Sequence, residues 1–227
     1  IIPTVFFANL FGTLRTTTIP VYTRSLGQDH AEAGRLAQAL FHSAGLLSFF
    51  SAAAGLLLAP YLVKLLAPGF SGELYLFTVQ LARMMLLAVP FLALASVATP
   101  LLHAHGSFLL PAAIGFPYNA ALIAAVFLFG NRYGAVAAAA GFVIAVAGQF
   151  FLQYPALLRR KILAGEGGRH LYHPGVKEIA LLTAPVLLGL VGAEINLIID
   201  RILASGLAEG SIAALNFANR LKSLPDG

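Results

Sequence analysis

Residues 39–66 read ALFHSAGLLSFFSAAAGLLLAPYLVKLL, with Lys64 as the one formal charge. About 20 mostly apolar residues in a helix cross a hydrocarbon core about 30 Å thick, so this run is long enough to span a bilayer. A transmembrane barrel strand would show about 10 residues of alternating character; this run is far longer and apolar all round. A polar-faced, incomplete span precedes it at 1–23, further stretches of the same kind follow at 74–102, 108–130, 133–158 and 177–204, and another begins at Ser211. The expected fold class is all-α, a polytopic transmembrane helix bundle. The apolar start at Ile1 and the stop at Pro225-Asp226-Gly227 read as cuts through a longer protein.

Composition supports this reading. Of the 227 residues, 59% are hydrophobic and 10% charged, against about 25% charged in a soluble globular domain. The mean hydropathy is +0.86. So few charges cannot clothe a water-soluble surface of this size, and membrane lipid becomes the expected surroundings. The chain has no cysteine, which excludes disulfides and thiolate chemistry. The net charge of +5 reads as orienting charge in loops, and no nucleic-acid partner is expected. No HExxH or P-loop occurs, since the glycine-rich run at 165–168 lacks a following GK[ST]. His103 and His105, and His170 and His173, come without further ligands. Neither a metal nor a cofactor is expected.

Loop charge sets the orientation. Segment 24–38 holds Arg24 and Arg35, and segment 159–177 holds Arg159, Arg160, Lys161, Arg169 and Lys177. Four spans separate the two segments, so they share a side, and the other side carries Lys64 and Arg132. By the positive-inside rule the richer side is cytoplasmic. The hydrophilic stretch after Arg159 suits a link between two helical lobes. The expected organisation is therefore an N-terminal lobe at 1–158, a cytoplasmic inter-lobe loop at 159–176 and the start of a second lobe at 177–227. Small residues recur at helical spacing, as Ala52, Gly55 and Ala59 and as Gly141, Ala145 and Gly148, and read as packing faces.

Polar residues inside the spans carry the functional signal, because a charge at the bilayer centre costs about 2.5–3.5 kcal/mol even on insertion scales. In the first span Asn9, Thr13, Thr16 and Thr17 share a face that Arg15 flanks. This is a wet cavity wall with an anion-binding arginine, or else a buried polar interface or an arginine snorkelling to the headgroups. In the sixth span Asn196 and Asp200 are four residues apart, with Glu194 and Arg201 roughly opposite. Asp200 suits an ion pair or a cation contact. Glu194 and Asp200 point to different sides, which argues against a shared acid–base site and so against a membrane-embedded transferase. The last segment places Asn216, Asn219 and Arg220 on one face about nine residues into a span, near mid-membrane. The arginine fork suits phosphate. Arg83 lies at similar depth and is a weaker candidate of the same kind.

The runs INLIIDRILASGL at 195–207, EGS at 209–211 and NFANRL at 216–221, then Leu224-Pro225, resemble the seventh and eighth helices of MurJ (MviN-type) lipid II flippases. Ala67-Pro68-Gly69-Phe70 is similar to a turn of that family, and Ile19-Pro20-Val21 to the end of its second helix. The resemblance implies a fragment, helices two to eight, of a two-lobe transporter of the multidrug, oligosaccharide-lipid and polysaccharide exporter superfamily. It further implies alternating access that moves lipid II, an undecaprenyl-pyrophosphate-linked peptidoglycan precursor, across the bacterial inner membrane, without enzymatic chemistry. Lipid II and membrane lipids would then be the partners. Arg220 matches the family's cavity arginine in the eighth helix, and Arg15 is the nearest match to that of the second. The implied substrate-binding set is Arg220, Arg15, Asn216, Asn219, Asn9 and Asn196, with Asp200, Glu194 and Arg24 as ion or gating residues. Asn219 stands where the family usually has Asp, and Glu194 where Gln is common. The alternatives are an oligosaccharide-lipid flippase or a cation-coupled drug antiporter of the same superfamily.

Overall fold

The computed structural model describes residues 2–164, 173–206, 213–214 and 217–218, with side chains from residue 12 onward except at 190–198 and 201. Among them the regular elements are helices: α1 (Ile2–Gln28), α2 (His30–Leu66), α3 (Gly72–Leu86), α4 (Val89–Ala104), α5 (Leu109–Ala113), α6 (Gly115–Tyr133), α7 (Ala135–Arg159) and α8 (Pro174–Ser205). Four stretches of the described residues are long and apolar enough to cross a membrane: His30–Leu66, Gly72–Ala104, Leu109–Tyr133 and Ala135–Arg159. The all-α membrane bundle expected from the sequence is the fold that forms.

Several boundaries differ from the expected ones, each for a local reason. The expected loop at 24–38 is helical apart from Asp29, which takes an extended conformation and accepts the Ala31 N–H on its carboxylate at 2.9 Å. An aspartate there supplies the acceptor that a helix start needs. At about 1.5 Å per residue, the 37 residues of α2 exceed the hydrocarbon thickness, so its charged first turns stay helical beyond the bilayer core. The span expected at 74–102 is two helices, broken at Leu87–Ala88. Pro90 has no N–H for the Leu86 carbonyl, and the Leu87 and Ala88 amides turn back to Met84 and Met85 at 3.2 and 3.0 Å. Likewise α5 ends at Ala113, whose carbonyl Pro117 cannot serve. Asn131 and Arg132, expected to separate two spans, remain helical, and Gly134 makes the reversal at φ +53°, a conformation side-chain-bearing residues rarely adopt.

The interior divides along the chain. One apolar cluster gathers Tyr22, Leu36, Leu101, Leu157 and Ile179 from α1, α2, α4, α7 and α8. A second joins Ala52, Ala59 and Val63 of α2 to Val79 and Leu86 of α3. The small-residue stripes sit at contacts in part: a Cβ on Gly55 would lie 3.1 Å from Leu86 and one on Gly141 would lie 2.5 Å from the Ala125 methyl, whereas one on Gly148 would meet nothing within 4 Å. The outer surface is apolar, with Leu109 84%, Phe116 82% and Phe127 82% exposed, and α6 buries no residue. Side chains of that kind face acyl chains in a multi-pass membrane protein.

Candidate functional site

The polar face of α1 is divided between two environments. Thr13 and Thr17 are buried, and the Thr17 hydroxyl lies 2.8 Å from that of Thr183 on α8. The Thr183 hydroxyl also reaches the Ile179 carbonyl at 2.7 Å, and that of Thr17 the Thr13 carbonyl at 3.2 Å. This half of the stripe is a polar seam between helices, with each hydroxyl satisfied. Arg15 and Thr16 lie on the exposed side. Arg15 has no ion pair among the described residues. Asp200 is exposed, with no partner among the described residues. The side chains of Asn9, Glu194, Asn196, Asn216, Asn219 and Arg220 lie outside the described residues, as does most of the expected inter-lobe loop, at 165–172.

Arg24 has a definite partner. Its Nη1 donates to Glu178 Oε1 at 2.9 Å, with both side chains substantially exposed, joining the C-terminal end of α1 to the N-terminal end of α8. A second tie lies beside it. His173 precedes α8, accepts the Gly175 N–H on Nδ1 at 3.0 Å and so caps the helix. With Nδ1 accepting, Nε2 carries the proton donated to Glu32 Oε1 at 2.7 Å. Arg35 holds the other carboxylate oxygen at 2.6 Å. The sequence shows His173 as a loop histidine without metal partners. Its capping role follows from its position before Pro174, where a side-chain acceptor is needed and proline is favoured.

The turn after α4 packs at the same end of the bundle. His105 Nε2 lies 3.0 Å from the Tyr22 hydroxyl, and Arg160 Nη1 donates to the His105 carbonyl at 2.9 Å. Burial first, then the charges of Arg160 and His30, hold the His105 pKa below the ordinary histidine value. Gln38 donates to the Leu163 carbonyl at 2.6 Å. Among the described residues no three His, Cys, Asp or Glu side chains are grouped as metal ligands.

Arg83 is placed differently from the other arginines. It lines a shallow groove of about 340 Å³ between α2 and α3 with Leu56, Val79, Gln80 and Met84. Its Nε donates to the Leu56 carbonyl at 3.2 Å.

The C-terminal end of α8 meets the turn between α2 and α3. The Gly69 N–H donates to Ser205 Oγ at 3.2 Å, and that hydroxyl donates to the Ile202 carbonyl at 2.7 Å. Helix α8 thus touches the preceding helices at its N-terminal end, at Thr183 and at its C-terminal end.

Comparison with known proteins places this arrangement. The chain is 30% identical over 174 residues to the lipid II flippase MurJ of Burkholderia cenocepacia, covering 74% of this chain and 34% of that protein. It is 31% identical over 176 residues to a protein of Rhizobium tropici named "Probable lipid II flippase MurJ", covering 74% and 33%. The chain therefore matches about a third of the length of these relatives. A solved structure titled "Lipid II flippase MurJ, inward closed conformation" superposes with a TM-score of 0.78 at 20% identity, over 97% of this chain and 46% of that one; at that identity it speaks for the fold. The family model described as lipid II flippase MurJ matches residues 2–227, and the chain belongs to that family.

Proposed function

We propose that this chain is part of a flippase that carries lipid II from the cytoplasmic to the outer leaflet of the bacterial inner membrane by alternating access, without covalent chemistry. The observation that carries the proposal is the family match over residues 2–227. Arg15 supports it, exposed on α1 and without an ion pair among the described residues. Such a charge costs about 2.5–3.5 kcal/mol in lipid, and a diphosphate seated in a hydrated chamber would offset that cost. Arg220 and the asparagines of the last helices are proposed to supply the rest of the chamber wall. On this reading α1–α7 belong to one lobe and α8 begins the second. The work is differential binding, with arginines holding the diphosphate in one conformation and releasing it in another.

The test is complementation by the complete protein in cells depleted of their own flippase. Wild type should sustain growth, and Arg15→Ala together with Arg220→Ala should abolish it at normal membrane abundance. Full growth with both substitutions would overturn the cavity-arginine reading. Failure of the wild type would overturn the substrate.

A further inference from the structure

We propose that the contact between Gly69 and Ser205 is a seam that closes the outer side of the molecule in this conformation and parts during transport. The proposal rests on the alternating-access reading above. It begins from an oddity at Gly69. A glycine in a turn usually answers to the backbone, as at Gly72, Gly106 and Gly134, which all take positive φ. Gly69 is not among them, so the turn's own conformation would accept a side chain. The neighbouring helix end would not. A Cβ on Gly69 would overlap the Ser205 carbonyl oxygen and lie 2.8 Å from the Gly206 nitrogen. These are backbone atoms of the end of α8, which cannot swing aside as the tip of a side chain can. The requirement for glycine therefore exists only while α8 lies against the α2–α3 turn.

The attachments of α8 are unequal. Its inner end is held by Arg24–Glu178 and by the His173–Glu32–Arg35 group. Its middle is held by the buried Thr17–Thr183 pair. The outer end is tied to the turn by one hydrogen bond among the described residues, from the Gly69 N–H to Ser205 Oγ. Ser205 keeps its bond to the Ile202 carbonyl whether or not the turn is present. Parting the outer seam thus exposes one amide to water and leaves the inner ties whole. That asymmetry suits an outward-opening step. Gly69 and Ser205 are then positioning residues, which act through the placement of α8 and make no contact with the substrate.

The experiment uses the complete protein in lipid nanodiscs, in a background without other cysteines. Leu65 and Leu203, each 67% exposed near the outer ends of α2 and α8, are changed to Cys and carry nitroxides. With Gly69 intact, the short inter-label distance should dominate. Gly69→Ala should raise the ratio of long to short distances at least fivefold, and Ser205→Ala should move it the same way by less. In parallel, Ser205→Cys alone should react slowly with a membrane-impermeant maleimide from the outer face, and at least fivefold faster when Gly69→Ala is added. Unchanged distances and unchanged labelling in folded Gly69→Ala protein would overturn the seam. Should Gly69→Ala not fold, an unchanged distance distribution in Ser205→Ala would do so. Neither measurement needs substrate. A seam that responds in a protein unable to complement would sink the transport reading alone, and an unresponsive seam in a competent flippase would sink this proposal alone.

Discussion

The Arg83 guanidinium donates to the Leu56 carbonyl, which lies four residues before Pro60. In an unbroken helix that carbonyl would accept the N–H of residue 60, and proline has none. Arg83 thus supplies from α3 the donor that α2 lacks. Tyr75 on the same helix donates its hydroxyl to the Pro60 carbonyl at 3.0 Å. The two side chains clasp the proline turn of α2 from both ends.

This makes Arg83 a brace for α2. Arg83→Ala should destabilise the protein by about 1 kcal/mol, the scale of polar contacts between membrane helices. In a Pro60→Ala background, where the substituted residue offers its own backbone N–H, the same change should cost measurably less. A double-mutant cycle on unfolding in detergent micelles checks this. Equal costs in both backgrounds would refute the brace.

The contact between α6 and α7 depends on the absence of a side chain at Gly141. A Cβ there would sit 2.5 Å from the Ala125 methyl. Gly141→Val should part the two helices and cost about 1–3 kcal/mol, the usual penalty of overpacking. Ala125→Gly in the same protein should recover part of the loss. Thermal unfolding of the three variants distinguishes a steric cause from a change in helix propensity.

Acid should weaken the inner turn through His105. Its pKa in the folded protein is lowered, by burial first and then by Arg160 and His30. As pH falls below the ordinary value of 6.5, the unfolded chain takes up a proton that the folded chain refuses, so stability declines. The contribution is fully present above that value and is lost as pH drops toward the lowered one. His105→Gln should flatten this part of the pH–stability profile. An identical acid limb in wild type and variant would assign the effect elsewhere.

The ties of α8 should differ in worth by environment. The Arg24–Glu178 pair is well exposed at both side chains, and such pairs contribute about 0–1 kcal/mol. Reversing both charges should therefore leave stability nearly unchanged. Thr17→Val removes a buried hydroxyl facing Thr183 and should cost more, on the order of 1 kcal/mol. Paired unfolding measurements on the two variants set the order.

Much of this molecule is legible from the chain alone, because lipid imposes simple rules. Length and unbroken apolarity identify residues 39–66 as a spanning helix, since a backbone in hydrocarbon must satisfy its own hydrogen bonds. The runs at 195–207 and 216–221 point to the family, which the match over residues 2–227 shows. What the sequence could not decide is which neighbour answers each polar group. Thr13, Thr16 and Thr17 share one face by periodicity, yet packing buries the first and third, with Thr17 set against Thr183 of α8, and leaves the second exposed. Arg83 appears in the sequence as another deep cation, and its purpose emerges only when α3 sets it beside the carbonyl that Pro60 leaves open. Gly69 appears as one letter of a turn motif, and its need for a bare Cα exists only because Ser205, distant in sequence, comes to rest against it. Periodicity along one helix reports which way a residue points, whereas a hydrogen bond or a steric limit belongs to a pair, and such pairs are made only by tertiary packing.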